Sequence, residues 1–191
     1  MKKKIGYLGP VGSFSEEACF ELWPQSPENT YQLFPSLEAI YQALVNQKID
    51  IAVMPTWNSS LGLLNNVQNQ PYFSHLENNL NVHCLSFLEK SLNFCLLVHL
   101  GASLEMIKTL HINPYAKTIA KQWLSNYPNL EIITHNSSSE AADAAQKMGP
   151  QHGALAGAQA AKIYGLEVLL KNIAISTMRF SSLKLHLLSR G

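Results

Sequence analysis

The sequence is poor in charged residues, which make up 14% of the 191 positions, against roughly 25% in an average domain. The formal net charge is only +1. The chain therefore lacks the basic character of DNA- and RNA-binding proteins, and we expect no nucleic-acid partner. Arginine is the scarcest cation, since only Arg179 and Arg190 occur. This scarcity matters because arginine is the preferred two-point partner of carboxylates.

Cysteine and long apolar runs are also scarce. The three cysteines, Cys19, Cys84 and Cys95, form no CxxC pair, and their odd number disfavours a disulfide framework. Buried thiols in a reducing compartment are the simpler interpretation. No run approaches the roughly 18 apolar residues that cross a bilayer. The lysines at 2–4 precede an apolar run that Gly-Pro ends too early for a secretion signal. These features predict a cytoplasmic protein without a membrane partner.

Metal-binding motifs are missing although histidine is not. None of the seven histidines forms an HxxxH or HExxH pair; they stand at positions 75, 83, 99, 111, 135, 152 and 186. We therefore interpret them as scattered surface and core histidines. GxSxG, Walker A and paired-carboxylate motifs are absent from the sequence too. The sequence predicts neither a metal nor a cofactor.

Short apolar runs alternate with helical patterns along the chain. Runs at 5–8, 31–34 and 49–54 are typical of buried strands, and 36–47 is typical of a helix that begins at a serine cap. This alternation continues in the second half and predicts an α/β fold with largely parallel sheets, arranged as two lobes with a cleft. The polar stretch 65–81 is predicted to be a surface excursion.

Two polar loops follow predicted strands, at residues 9–15 and 55–62. Ligands of open α/β sheets bind outside the carboxyl ends of the strands, so both loops are candidates for binding. The first loop also leads into a helix that begins near Ser13 or Ser15, where backbone N–H groups favour an anion.

Arg179 stands in an apolar context at the start of the last predicted strand. No acidic residue lies within seven positions on either side. A partly buried guanidinium needs an anionic partner. Two partners stay open: a distant acid in a structural ion pair, or a carboxylate ligand.

Five motifs in order carry a resemblance to the catalytic domain of prephenate dehydratase. YLGPVGSFSE at 7–16 resembles the family's YLGPxG[ST]FSE, and VMPTWNSSLG at 53–62 resembles VVPIENSxEG. SSSEAA at 137–142 is similar to STAEAA. The stretch 153–166 is similar to AAIAxxxAAxxYGL, and MRF at 178–180 stands where the family has TRF. The resemblance covers almost the whole chain.

The resemblance implies a single catalytic domain over 1–191 with the two-lobed α/β fold of type II periplasmic binding proteins, with mixed sheets and helices on both faces. Lobe 1 is expected at about 1–78 plus 178–191, and lobe 2 at about 79–177. We expect no regulatory ACT domain. The active site would lie in the cleft, and family members of this kind lead us to expect a homodimer or larger assembly.

The implied substrate is prephenate, or arogenate, which differs from it by one amino group. The family expels CO2 and the ring hydroxyl together and so forms phenylpyruvate in phenylalanine biosynthesis. Arg179 would bind a substrate carboxylate and Thr177 would supply the proton. The remaining predicted substrate contacts are Ser13, Asn58, Ser59, Ser137, Ser138 and Phe180.

The sequence departs from the family where the chemistry is expected. Met178 occupies the place of the family's catalytic threonine and cannot donate a proton. Thr177 is one position away, so that only a bulge or another register would turn it to the same face. Trp57 stands in place of the glutamate in the family's ENS motif. These departures keep two alternatives open: a non-aromatising prephenate decarboxylase of secondary metabolism, and a protein that binds a carboxylate metabolite without catalysis.

Overall fold

The computed structural model describes residues 2–60, 62–63 and 82–185. The strands are β1 Lys3–Leu8, β2 Asn29–Phe34, β3 Ile51–Asn58, β4 Gly62–Leu63, β5 Val82–Val98, β6 Thr109–Ile112, β7 Glu131–Thr134, β8 His152–Gly157 and β9 Glu167–Leu185. The helices are α1 Phe14–Leu22, α2 Leu37–Val45, α3 Pro114–Ile119, α4 Lys121–Leu124, α5 Ser138–Met148 and α6 Ala158–Tyr164. Among the described residues, no helix is both long and apolar enough to cross a membrane. The predicted excursion at 65–81 lies outside the described residues.

The chain divides into two compact units. Unit 1 is Met1–Gly9, Phe14–Lys90 and Thr177–Gly191, and unit 2 is Pro10–Ser13 and Ser91–Ser176. The breaks at 90 and 176 fall inside β5 and β9, so each of these strands belongs to both units. The lobe bounds expected from the sequence, with breaks after 78 and 177, stay a prediction.

Unit 1 is a mixed sheet with a helix on each face. β1 pairs in parallel with β2 and β3, while β4 and β9 pair antiparallel with β3. Successive side chains of a strand point to opposite faces. Ile51 and Val53 accordingly pack in a cluster with Cys19 of α1, whereas Ala52 and Met54 pack with α2. The predicted α/β class, with a mixed sheet and helices on both faces, is confirmed here.

Unit 2 combines parallel and antiparallel pairing. β6 pairs in parallel with β7 and β8, and β5 pairs antiparallel with β8. Its core consists largely of alanines from α5, α6 and β8, together with Cys95, Leu97 and Leu166. The small alanine side chains let these helices pack closely against the sheet.

Three strands are longer than the sequence predicts. β3 continues through Pro55 to Asn58, with an irregularity in its pairing to β9 between Pro55 and Trp57. Proline lacks an N–H and is tolerated in strands at such bulges. The apolar runs within 80–98 predict two strands split by 89–91, but they form the single strand β5. The sequence also predicts separate strands at 168–173 and 181–188, which lie largely within the single strand β9.

Candidate active site

The end of β3 is fastened to β9 by two of the predicted site residues. Asn58 is fully buried, and its Nδ2 donates to the backbone oxygen of Thr177 at 3.1 Å. Its Oδ1 accepts from the backbone N–H of Ser60 at 2.8 Å. The backbone N–H of Ser59 donates to the Thr177 oxygen at 2.9 Å, and its Oγ accepts from the Thr177 N–H at 3.0 Å. Asn58 and Ser59 therefore hold the backbone of Thr177 in place.

The register of β9 sets the direction of the next side chains. Asn58 pairs with Met178, and Trp57 pairs with Arg179. The irregularity lies on β3, so β9 keeps its alternation here. Thr177 thus shares a face with Arg179 and points away from the face of Met178. Met178 is buried, and its Sδ lies 3.9 Å from Asn58 Nδ2.

Arg179 is held by an acid and two aromatic rings. Its Nε and Nη2 both donate to Glu89 Oε1, at 3.1 and 2.6 Å. The guanidinium carbon lies 5.5 Å from the ring centroid of Trp57 and 4.9 Å from that of Phe87. These distances suit cation–π attraction. The distant ion pair left open by the sequence is therefore present, with a partner 90 positions away.

The other predicted contact on β9, Phe180, lies in the interior. Its side chain is 1% exposed, and its backbone pairs with Pro55. The next residue of β9, Ser181, forms a buried hydroxyl pair with Thr56 of β3, with Oγ and Oγ1 2.9 Å apart. A role for the Phe180 ring against a substrate stays a prediction.

The N-terminal motif is fixed at both ends. Before the loop, the Tyr7 hydroxyl donates to Glu16 Oε1 at 3.0 Å, and burial together with this carboxylate raises the pKa of Tyr7. Within the loop, the backbone oxygen of Val11 accepts from the Tyr164 hydroxyl at 3.0 Å. Gly12 adopts φ +78°, a left-handed conformation that favours glycine. Ser13 is buried directly before α1, and its N–H donates to Pro10 O at 3.2 Å.

The predicted serines of unit 2 lie at the N-terminus of α5. Ser137 is the N-cap, and its Oγ accepts from the Glu140 N–H at 3.0 Å. Glu140 in turn binds the residue before the cap, since its Oε2 accepts from the Asn136 N–H at 3.0 Å. The pattern differs from a capping box only in that the glutamate accepts from this residue and not from the cap itself. Ser138 is buried at the first position of the helix. Ser13, Ser137 and Ser138 thus belong to unit 2, and the other predicted site residues to unit 1.

Sequence reasoning did not find a chain of three histidines in unit 2. His111 Nδ1 lies 2.8 Å from His135 Nε2, and His111 Nε2 lies 3.1 Å from His152 Nδ1. Burial, with smaller effects of His135 and His152, lowers the pKa of His111 to about 4. The contacts use different nitrogens of the central ring, and the described residues include no group of three side chains suited to hold a metal ion.

Strand register explains why the sequence hid this chain. His111 pairs with Ile133 on β7 and with Ala154 on β8. Residues two positions from a paired residue share its face, which brings His135 and His152 beside His111. The sequence positions of the three histidines indicate a cluster only when the strand order and register are also known. The same holds for Phe87 and Glu89, whose alternate spacing on β5 gives no sign of Arg179.

Comparisons with known proteins agree over most of the chain. A family model described as prephenate dehydratase matches residues 5–184. A bifunctional chorismate mutase/prephenate dehydratase of Buchnera aphidicola subsp. Schizaphis graminum is 29% identical over 177 residues, which are 89% of this chain and 43% of that protein. The chain therefore spans less than half the length of this relative.

Solved structures share the fold at lower identity. The prephenate dehydratase of Staphylococcus aureus subsp. aureus Mu50 has a TM-score of 0.77 at 20% identity, covering 97% of this chain and 67% of that one. GqqA, described as a novel type of quorum quenching acylase, has a TM-score of 0.76 at 21% identity, covering 98% and 66%. At these identities the likeness concerns the fold alone, and proteins of this fold are described with different activities.

Proposed function

The chain belongs to the prephenate dehydratase family, and from this premise we propose that it converts prephenate into phenylpyruvate for phenylalanine biosynthesis. In this reaction the bond to the ring carboxylate breaks, its electron pair enters the ring, and the ring hydroxyl leaves as water. One proton is taken up, and CO2, water and phenylpyruvate are formed. The protein must therefore bind an anion, surround an apolar ring and donate a proton to the departing hydroxyl.

The accessible guanidinium of Arg179 is the observation that carries this proposal. The Arg179 side chain is 41% exposed, so a ligand can reach it, and the rings of Trp57 and Phe87 contact its guanidinium from the strands on either side of β9. Prephenate has two carboxylates. Tight binding of the departing one would stabilise the substrate more than the transition state. Arg179 is therefore assigned to the carboxylate of the pyruvyl side chain.

Thr177 is the proposed proton donor for the departing hydroxyl. It lies two positions from Arg179 on the same face, roughly 7 Å along the strand. One prephenate molecule could therefore reach both side chains. Its backbone is fixed by Asn58 and Ser59. Asn58 and Ser59 would thus act mainly by placing Thr177. Ser13, Ser137, Ser138 and Phe180 stay in the proposal as substrate contacts.

The buried side chain of Met178 favours a second candidate function. Its thioether occupies the place of the family's threonine and has no proton to give. Without a donor at the ring hydroxyl, CO2 can still leave while a ring carbon takes up the proton. The product would then keep its hydroxyl and stay non-aromatic. The protein would be a prephenate decarboxylase.

The test is to incubate the purified protein with prephenate and to identify the products by ultraviolet absorbance and mass. Loss of CO2 and water supports the dehydratase, and loss of CO2 alone supports the decarboxylase. Absence of turnover with binding measured by calorimetry would leave a carboxylate-binding protein. Arogenate is compared in parallel, because either substrate fits the proposal.

Two variants then separate the proton donors. Thr177→Val is expected to lower phenylpyruvate formation about 100-fold or more, while prephenate affinity changes little. The matched control is Thr30→Val, at an exposed threonine of β2 in the same unit. If Thr177→Val keeps full turnover, Thr177 is not the donor. If the wild type is a decarboxylase, Met178→Thr is expected to introduce phenylpyruvate formation.

The proposal also includes the cellular location, the class of ligand and the oligomeric state. The biosynthetic role of the family supports a cytoplasmic location and a small-molecule substrate. A homodimer or larger assembly stays a prediction, which light scattering on the purified chain tests directly.

A further inference from the structure

Four side chains from three neighbouring strands meet on one face of unit 1. The strands lie in the order β3, β9, β5. Trp57 on β3 is directly opposite Arg179 on β9, and Phe87 and Glu89 occupy alternate positions of β5. Both rings contact the guanidinium while Glu89 accepts its hydrogen bonds. The arrangement is a carboxylate site whose present occupant is a residue of the chain itself.

The contact uses a defined edge of the guanidinium. Nε and Nη2 are the two donors that can bind a carboxylate side-on, and both point to one oxygen of Glu89. A ligand carboxylate that approaches this edge must therefore replace Glu89. Trp57 and Phe87 contact the guanidinium independently of that exchange. The Arg179 side chain can thus keep its place while its anionic partner changes.

The exposure of the pair makes the exchange energetically easy. The Arg179 and Glu89 side chains are 41% and 45% exposed, and ion pairs of this kind contribute little to folding because water screens them. Glu89 can accordingly leave Arg179 without exposing a buried charge.

We propose that Glu89 is an internal competitor for the carboxylate site of Arg179, and that it weakens the binding of carboxylate ligands there. This inference rests on the proposed function only for the identity of the natural ligand. Loss of the Glu89 carboxylate is expected to tighten carboxylate binding about two- to fivefold, the range that corresponds to an exposed ion pair. Glu89 is thus a residue that sets affinity, and it has no part in the bond-breaking steps.

The experiment measures the accessibility of Arg179 without relying on turnover. Phenylglyoxal modifies arginine, and the chain holds only Arg179 and Arg190, so peptide mass spectrometry can report both rates in one sample. The proteins compared are the wild type, Glu89→Gln and the control Glu28→Gln, which removes an exposed carboxylate elsewhere in unit 1. Phenylpyruvate is then titrated as a carboxylate probe that protects Arg179.

In Glu89→Gln, the ratio of the Arg179 rate to the Arg190 rate is expected to rise about two- to fivefold, and half-protection is expected at about two- to fivefold less phenylpyruvate. Glu28→Gln should match the wild type in both measurements. An unchanged rate ratio, equal half-protection in Glu89→Gln and the wild type, or no protection at all would overturn the inference. A prephenate turnover assay on the same proteins reports separately on the proposed function, so the two can fail independently.

Discussion

The pH dependence of folding is predicted to depend strongly on His111. The ring is 1% exposed and lies between His135 and His152. When His111 is neutral, one ring nitrogen donates and the other accepts, which allows one contact in each direction. A protonated ring would place a charge in the interior between two histidines. Glu131 opposes this effect, but the net result is a pKa of about 4, below the ordinary 6.5.

The two pKa values fix the sign and size of the effect. Between them the unfolded chain binds a proton that the folded protein does not, so the free energy of unfolding decreases as the pH falls through this window. The contribution of His111 is complete above about pH 6.5 and lost near pH 4. Between about pH 7.5 and about pH 4.5, these values correspond to a loss of about 2.5 kcal/mol.

The assay is urea unfolding followed by circular dichroism at both pH values, for the wild type, His111→Gln and His99→Gln. His111→Gln destabilises the protein at every pH, because a buried ring is lost. The informative quantity is therefore the change in free energy of unfolding between the two pH values. This change is expected to be smaller by about 2.5 kcal/mol in His111→Gln. His99, whose Nε2 lies 3.2 Å from the Ala145 backbone oxygen, controls for loss of another histidine in the same unit.

This reasoning is refuted if the free energy of unfolding falls by the same amount between the two pH values in the wild type and in His111→Gln. The acid sensitivity would then arise from other groups, and burial of His111 would not be coupled to its protonation. The change in free energy of unfolding between the two pH values should be reduced in His111→Gln and not in His99→Gln. An equal reduction in both variants would likewise contradict the assignment to the histidine chain.

Two further predictions concern the contribution of motif residues to stability. Gly12→Ala is expected to reduce the free energy of unfolding by about 1–2 kcal/mol, because φ is +78° and a Cβ would lie 2.7 Å from Ile163 Cδ1. Gly165→Ala, with φ +68° and no atom within 4 Å of its Cβ, isolates the conformational part, and equal losses in both would show that the Ile163 contact is harmless. Ser137→Ala is expected to cost about 1 kcal/mol through loss of the helix cap. Unchanged urea unfolding would show that Ser137 does not cap α5 in solution.

Sequence patterns predicted what depends on local periodicity. The buried runs around Ile5 and Ile51 and the helix after Ser36 were enough to indicate a βαβ arrangement, because apolar spacing reports directly on which residues face a core. The structure confirms Ser36 as the cap of α2, where its side chain accepts from the Ala39 N–H. The predicted strand at 49–54 stops before Pro55, because proline usually ends a strand. β3 is longer, because a bulge accommodates Pro55 within it.

Features that depend on strand order could not be predicted in the same way. Arg179 and Glu89 are 90 positions apart and meet because β5 lies beside β9. The local pattern of apolar residues carries no information about which strands pair with each other in the sheet. The sequence thus indicates an anionic partner for Arg179 from its apolar context, but it cannot distinguish an internal acid from a ligand.

The structure also separates the parts of the family motifs that the fold uses from the parts that chemistry would use. Asn58, Ser59 and Ser137 bind backbone groups, so their presence follows from the geometry of the chain whatever reaction takes place. Trp57 and Met178 stand where the family has an acid and a threonine. The Trp57 ring contacts the Arg179 guanidinium, and Met178 is buried. The fold accommodates both residues, but neither side chain can act as the acid that dehydration requires. For this reason the identity of the proton donor decides between dehydration and simple decarboxylation, and overall similarity to the family does not.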